Sequence, residues 1–269
     1  MLDFQHIKHY FTVITESQEA FIASLLCTLG FVLVHWAIPR LRQLDNFNEG
    51  ILNSVGAGLA LGYVFLFAMP SFLVQVPKLA QNSTVPFFQS QRNFLFVTFF
   101  VVLIGFFQVY ILEKIAHKKT KHGLEAGTLV YACHLAQATF SSFSISVVMQ
   151  TMAEQSIPAL LLFSVVMMVY FGLNDHTLRH HFPNRFDHLG RLWPVFGVLS
   201  GWVIGTFVLQ GHPSVIVVLL KAYLAGTILI NSAKNEFSMI EGHSHFPAFI
   251  ISLGLKAGIV LLMFLLDGR

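Results

Sequence analysis

Histidine carries most of the chemistry this sequence could do. There are 13 of them in 269 residues, and imidazole both titrates near neutral pH and binds metals. Most lie in the polar stretches between apolar runs: His117 with His122; His176, His180, His181 and His188; and His243 with His245. Asp175 and Glu241 stand beside them, and Glu236 lies a little upstream. If a helix continues through this region, His176 and His180 are one turn apart on one face, a spacing that can hold a metal ion. Asp175 and Arg179 share that spacing and could simply pair. His134 differs, because it falls inside an apolar run, where an ionisable group is a functional candidate by default. Gln137, Ser141, Ser142 and Ser144 offer it hydrogen-bond partners. Met69, Met167 and Met168, if they converge on it, would make a soft site suited to a monovalent ion such as copper(I). Lys221 and Lys256 are also in apolar runs. Lys221 is close enough to a helix end to snorkel, whereas Lys256 is deeper, and a lysine on a transport path would repel cations.

The elements that must position these groups follow from composition. Hydrophobic residues make up 55% of the chain and charged ones only 11%, well under the roughly 25% of soluble domains. One water-soluble core could not hide so much apolar surface, so lipid is expected as the outer solvent. Apolar runs of bilayer-spanning length recur at about 21–39, 52–76, 94–116, 128–152, 158–173, 192–209, 215–230 and 248–266. They lack the alternation of barrel strands, so they read as helices. The segment 1–20 is too mixed for a secretory signal peptide. The whole chain, 1–269, reads as one membrane domain.

Charge gives the expected orientation. With the amino terminus outside, the inner connections hold Arg40, Arg42, Lys114, Lys118, Lys119, Lys121, Arg179, Arg185, Arg191 and Lys234. The outer ones hold only Lys8, Lys78, Arg92 and Arg269. That bias places both termini outside and the histidine-bearing connections in the cytoplasm. The net charge of +3 is then a topology signal and argues against a nucleic-acid surface. By the same placement, the Lys/His stretch after the third run also reads as a basic segment near anionic lipid.

Small residues mark expected contacts between helices: Gly58 with Gly62, and Gly201 with Gly205, are spaced to let backbones approach in lipid. Pro70 should kink the second span. Cys27 and Cys133 form no Cys-x-x-Cys pattern, so they read as small buried apolar side chains.

Several stretches together resemble the ZIP (Zrt/Irt-like) family of divalent metal transporters. They are Ile111-Leu112-Glu113-Lys114 with the Lys/His-rich loop after it, Leu224-Ala225-Gly226-Thr227-Ile228-Leu229, and Gly58-Leu59-Ala60-Leu61-Gly62 with a break at Pro70. Glu236 and a last apolar helix with Gly254 and Gly258 follow. The resemblance implies an all-α bundle of about eight transmembrane helices with both termini outside, together with homodimerisation. It implies that a divalent metal, zinc above all or else iron or manganese, moves across the inner membrane. It also puts Glu236 near a metal exit route. The pattern departs from the family in the membrane. His134 matches a metal-ligand histidine, but Leu135 and Ala138 stand where the family has Asn and a carboxylate. The fifth span has no His and no carboxylate.

The reading is therefore a divergent ZIP-like transporter and not an enzyme, with His134, Met69 and Gln137 at the midplane. Asp175, His176, His180, His181, Glu236, Glu241, His243 and His245 would receive the metal on the cytoplasmic side. The cargo is a metal ion, the lipid bilayer is the other partner, and no nucleic acid is involved. One alternative is a ZIP-like protein without transport, acting as a sensor or membrane-complex subunit. Another is a membrane metalloenzyme, since His176-x-x-x-His180-His181 resembles one histidine box of the di-iron desaturases. His117 and His122 imitate a second box, but the final His-His box is missing.

Overall fold

A computed structural model describes residues 4–37, 49–120, 127–153, 156–182, 185–209, 214–237 and 245–267. Among them there is no strand, and they are helical almost throughout. In order the helices are α1 (Phe4–Ala37), α2 (Glu49–Tyr63), α3 (Met69–Gln81), α4 (Pro86–Gln89), α5 (Gln91–Thr120), α6 (Thr128–Ala153), α7 (Ile157–His181), α8 (Leu192–Val203), α9 (Val215–Phe237) and α10 (Phe246–Asp267). A π-helical turn, Val64–Ala68, joins α2 to α3, and a second, Ile204–Val208, extends α8.

Among the described residues five stretches are long and apolar enough to cross a membrane: Gln18–Ala37, Asn53–Gln81, Gln91–Ala116, Ile157–Arg179 and Val215–Lys234. Leu192–Val208 and Phe246–Leu261 are shorter apolar helices. Large apolar side chains such as Leu26, Leu33, Phe96, Ile251 and Leu255 stand exposed on the outside of the bundle. Such a surface is stable in acyl chains and not in water.

The helix α6 is the exception that organises the rest. Its 26 residues are ample to span a bilayer at 1.5 Å per residue, yet it carries four serines, three threonines and two glutamines. Nearly all of its second half is buried. It sits against α1, α5, α7, α8 and α9, so its polar side chains are screened from lipid by its neighbours. The expected membrane span from 128 to 152 is thus a central helix.

Glycines let these helices close on one another. Carbonyl and amide groups of Phe143 and Thr139 on α6 lie against Gly197 and Gly201 of α8, and Gln150 and Val147 against Gly205. Gly58 and Gly62 meet Ser252, Phe249 and Lys256 of α10. Gly105 of α5 and Gly226 of α9 face each other's backbones reciprocally. In lipid this close packing replaces the hydrophobic drive of a soluble core.

Three local features refine the sequence reading. The helix α1 already begins at Phe4, within the segment expected to precede the first span. The disturbance expected at Pro70 takes the form of the π turn just before it, with Met69 N–H reaching back to the Val64 carbonyl. Cys27 is buried, but Cys133 is exposed, because the first half of α6 keeps one side uncovered as far as Phe140.

A Cβ on Gly226 would lie 2.8 Å from Phe106 N and closer still to the Val102 carbonyl, whereas one on Gly254 would meet nothing within 4 Å. Gly226→Ala should therefore destabilise the protein by about 1–3 kcal/mol, the usual penalty of overpacking. Gly254→Ala should be neutral or stabilising by up to about 1 kcal/mol, since it only removes a helical glycine. Unfolding of both variants in mixed detergent–dodecyl sulfate micelles measures the difference.

Candidate functional site

Polar residues inside an apolar bundle need partners within it, and how they find them shows which are available for other work. Most hydroxyls here bond to their own helix. Ser142 and Ser144 donate to the Ala138 and Phe140 carbonyls at 2.9 and 2.8 Å, and Thr28, Thr98 and Thr139 do the same one turn back. Three places are different.

The first is a buried carboxylate–imidazole pair that joins α1 to α7. Asp175 on α7 is wholly buried, and its Oδ2 lies 2.6 Å from Nδ1 of His35 on α1, which is 1% exposed. With the carboxylate ionised, the ring nitrogen donates. The imidazole also leans on the Phe171 ring, with centroids 4.5 Å apart. His35 Nε2 and Asp175 Oδ1 are buried without a hydrogen-bond partner.

The second is a narrow pocket at the end of the bundle where α5, α7 and α9 terminate. Glu113, His134, Gln137, Asn174, Thr177 and Asn231 contribute to its lining, and its volume is about 10 Å³. That is roughly the room one water or one monatomic ion needs. Gln137 donates to Ser141 Oγ at 3.0 Å, while Glu113 Oε1 accepts from Lys234 Nζ at 2.9 Å. A companion pocket of about 20 Å³ shares Asn174, Thr177 and Asn231 and adds Tyr170, whose hydroxyl accepts from Asn231 at 3.1 Å. The rim is pinned by the segment after α7: Tyr131 donates to the Arg185 carbonyl, Arg185 donates to Thr128, and Phe182 lies beside His134.

The third is a cavity of about 790 Å³ at the opposite end, beneath α4. Gln75, Lys78 and Thr151 line it, and Lys221 does so from α9. Lys221 is only 3% exposed, and its Nζ reaches Gln75 Oε1 at 3.4 Å.

Of the residues expected at the midplane, His134 and Gln137 share the narrow pocket. Met69 is not part of its lining and packs against the main apolar core instead. Met167 is fully buried in that core too. Of those expected on the cytoplasmic side, Asp175 points inward to His35 and not to Arg179. His176 is half-buried. The helix does continue to His181, which sets His176 and His180 one turn apart, but the side chains of His180, His181 and Glu236 lie outside the described residues. So do Glu241 and His243 entirely, and the side chains of His117, His122 and His188. His245 is exposed; its Nδ1 accepts from Ala248 N–H at 3.3 Å at the start of α10. Among the described residues no three His, Cys, Asp or Glu side chains come together as a metal site.

Sequence reasoning passed over His35, Asn174 and Asn231. A histidine within an apolar helix is the signal that could have found the first, by the same logic that singled out His134. Asn174 and Asn231 are short neutral amides near helix ends and gave no signal. No family model, no curated protein and no solved structure matches this chain.

Removing one member of a buried hydrogen-bonded pair strands the other. His35→Ala should destabilise the protein by about 3–5 kcal/mol, while the double change His35→Phe/Asp175→Leu should recover most of that loss. Unfolding midpoints of the purified variants in detergent, compared as a double-mutant cycle, measure both.

Proposed function

We propose that this chain is a ZIP-like, eight-span transporter of the plasma (inner) membrane, and that its cargo is a divalent cation such as zinc, iron or manganese. The observation that carries this reading is the ion-sized pocket where Glu113, His134, Gln137, Asn174 and Asn231 converge. A carboxylate, an imidazole and amide oxygens are donors that such ions accept in place of water. Glu113 here takes the part expected of Met69.

The chemistry of passage follows from the Glu113–Lys234 pair. At rest the ammonium neutralises the carboxylate. A dication entering the pocket competes for the same oxygen and displaces Lys234, which is 31% exposed and free to swing into solvent. His134 must be neutral to bind, so protons compete with the metal. With both termini outside, the pocket faces the cytoplasm, and the histidine-bearing segments after α7 and α9 belong to that side. Neither Lys221 nor Lys256 lines the pocket, so the two lysines that would repel a cation stand away from this binding site.

A second reading draws on the scarcity of acidic and imidazole groups brought together among the described residues. On it the chain keeps the scaffold without transport and serves as a sensor or a complex subunit.

Reconstitution separates the two. Purified protein in liposomes should take up zinc or manganese, and Glu113→Gln and His134→Ala should each cut initial uptake about tenfold or more, the scale of loss seen when a metal site is disturbed. Unfolding midpoints and elemental analysis of the same preparations report on folding and bound metal. Wild-type liposomes that take up no divalent metal would decide for the second reading, and uptake indifferent to both substitutions would overturn the pocket of Glu113 and His134 as the metal's site.

A further inference from the structure

We propose that the cavity beneath α4 is a binding site for a small organic anion, a carboxylate with a short apolar tail, seated on Lys221. This site is at the other end of the bundle from the pocket of Glu113 and His134, and it requires neither transport nor a metal.

The argument begins with the lysine. An ammonium this deeply buried in a membrane protein is costly unless something answers its charge. Lys221 has three N–H donors, and among the described residues it has one long contact, 3.4 Å to the amide oxygen of Gln75. Among the described residues no carboxylate belongs to the lining of the cavity it faces, and a second cation, Lys78, does. Two ammonium groups with no acid beside them among the described residues attract anions and repel cations.

Size and lining narrow the class. At about 790 Å³ the cavity is far larger than a chloride ion needs and falls in the range of pockets that take small organic molecules. One wall is apolar, made by Leu79, Phe88, Val215 and Val217. The rest presents hydroxyls and amides, among them Thr151, Ser214 and Asn82. A carboxylate can accept from Lys221 through one oxygen and from the Gln75 amide N–H₂ through the other. Its alkyl tail then lies along Leu79 and Phe88. An anionic lipid headgroup presents the same chemistry from the membrane side.

The probe is hexanoate, with hexylammonium and hexanol as cationic and neutral controls of equal length, added to the full-length protein in phosphatidylcholine nanodiscs. Binding is read by calorimetry and by the unfolding midpoint. Hexanoate should bind saturably and raise the midpoint, and hexylammonium should not. Lys221→Gln should weaken hexanoate about tenfold or more, the weight of a charge-assisted hydrogen bond. Lys221→Arg should keep binding, and so should Lys256→Gln, which alters a buried lysine outside the cavity. Phosphatidylglycerol added to the nanodiscs distinguishes the sources: competition with hexanoate that needs Lys221 assigns the site to a lipid headgroup, and no competition assigns it to a soluble anion. Hexylammonium binding as well as hexanoate to the wild type, which depends on no variant, would overturn the proposal. So would equal hexanoate affinity in well-folded Lys221→Gln, or no binding of either anion.

Discussion

Close contact between helix backbones is the constraint on which everything else in this bundle depends. Lipid does not push apolar helices together as water does, so association must come from packing and from hydrogen bonds between helices. The chain meets that demand with glycine at the seams. Gly105 and Gly226 lock α5 to α9, Gly197, Gly201 and Gly205 seat α8 on α6, and Gly58 and Gly62 seat α2 on α10. Once α6 is enclosed in this way, it can carry polar side chains through the middle of an apolar structure.

The enclosure then sorts the polar groups. Serine and threonine are mostly turned back on the carbonyl one turn earlier, which satisfies them without any partner helix. The polar count of α6 therefore overstates how polar the interior is. Other polar groups find their partners between helices, among them His35 with Asp175, Tyr170 with Asn231, Lys234 with Glu113, and Lys221 with Gln75. These pairs tie α1 to α7, α7 to α9, α9 to α5 and α9 to α3. All but the His35–Asp175 pair also border the two pockets or the large cavity.

Helicity and the membrane environment were legible in the sequence because both rest on local quantities, run length and hydropathy. The approach of α2 and α8 to their partners was legible at Gly58, Gly62, Gly201 and Gly205 because small residues four apart lie on one helix face. Pairings between distant helices were not. Asp175 has Arg179 one turn away on its own helix, and only the packing of α1 on α7 reveals that His35, 140 positions earlier, is its partner. Met69 looked equivalent to Met167 as a companion for His134, but composition says nothing about which end of the bundle a helix face meets. Glu113 was noted as part of a motif, and its place beside His134 and Asn231 depends on α5, α6 and α9 coming together at the same level.

The π turn at Val64–Ala68 holds one residue more than an α-helical turn would. Each residue advances an α-helix by about 100°, so that single extra position sets the angular phase between α2 and α3. Upstream of it, Gly58 and Gly62 look toward α10; downstream, Gln75 looks toward Lys221. Pro70, having no N–H, cannot claim the Leu66 carbonyl four positions back, and the wider turn is tolerable there. One rod of chain thereby serves two neighbours on different sides, and a deletion of one residue here would swing the whole lower half of the rod about its axis, taking Gln75 away from the lysine it now meets.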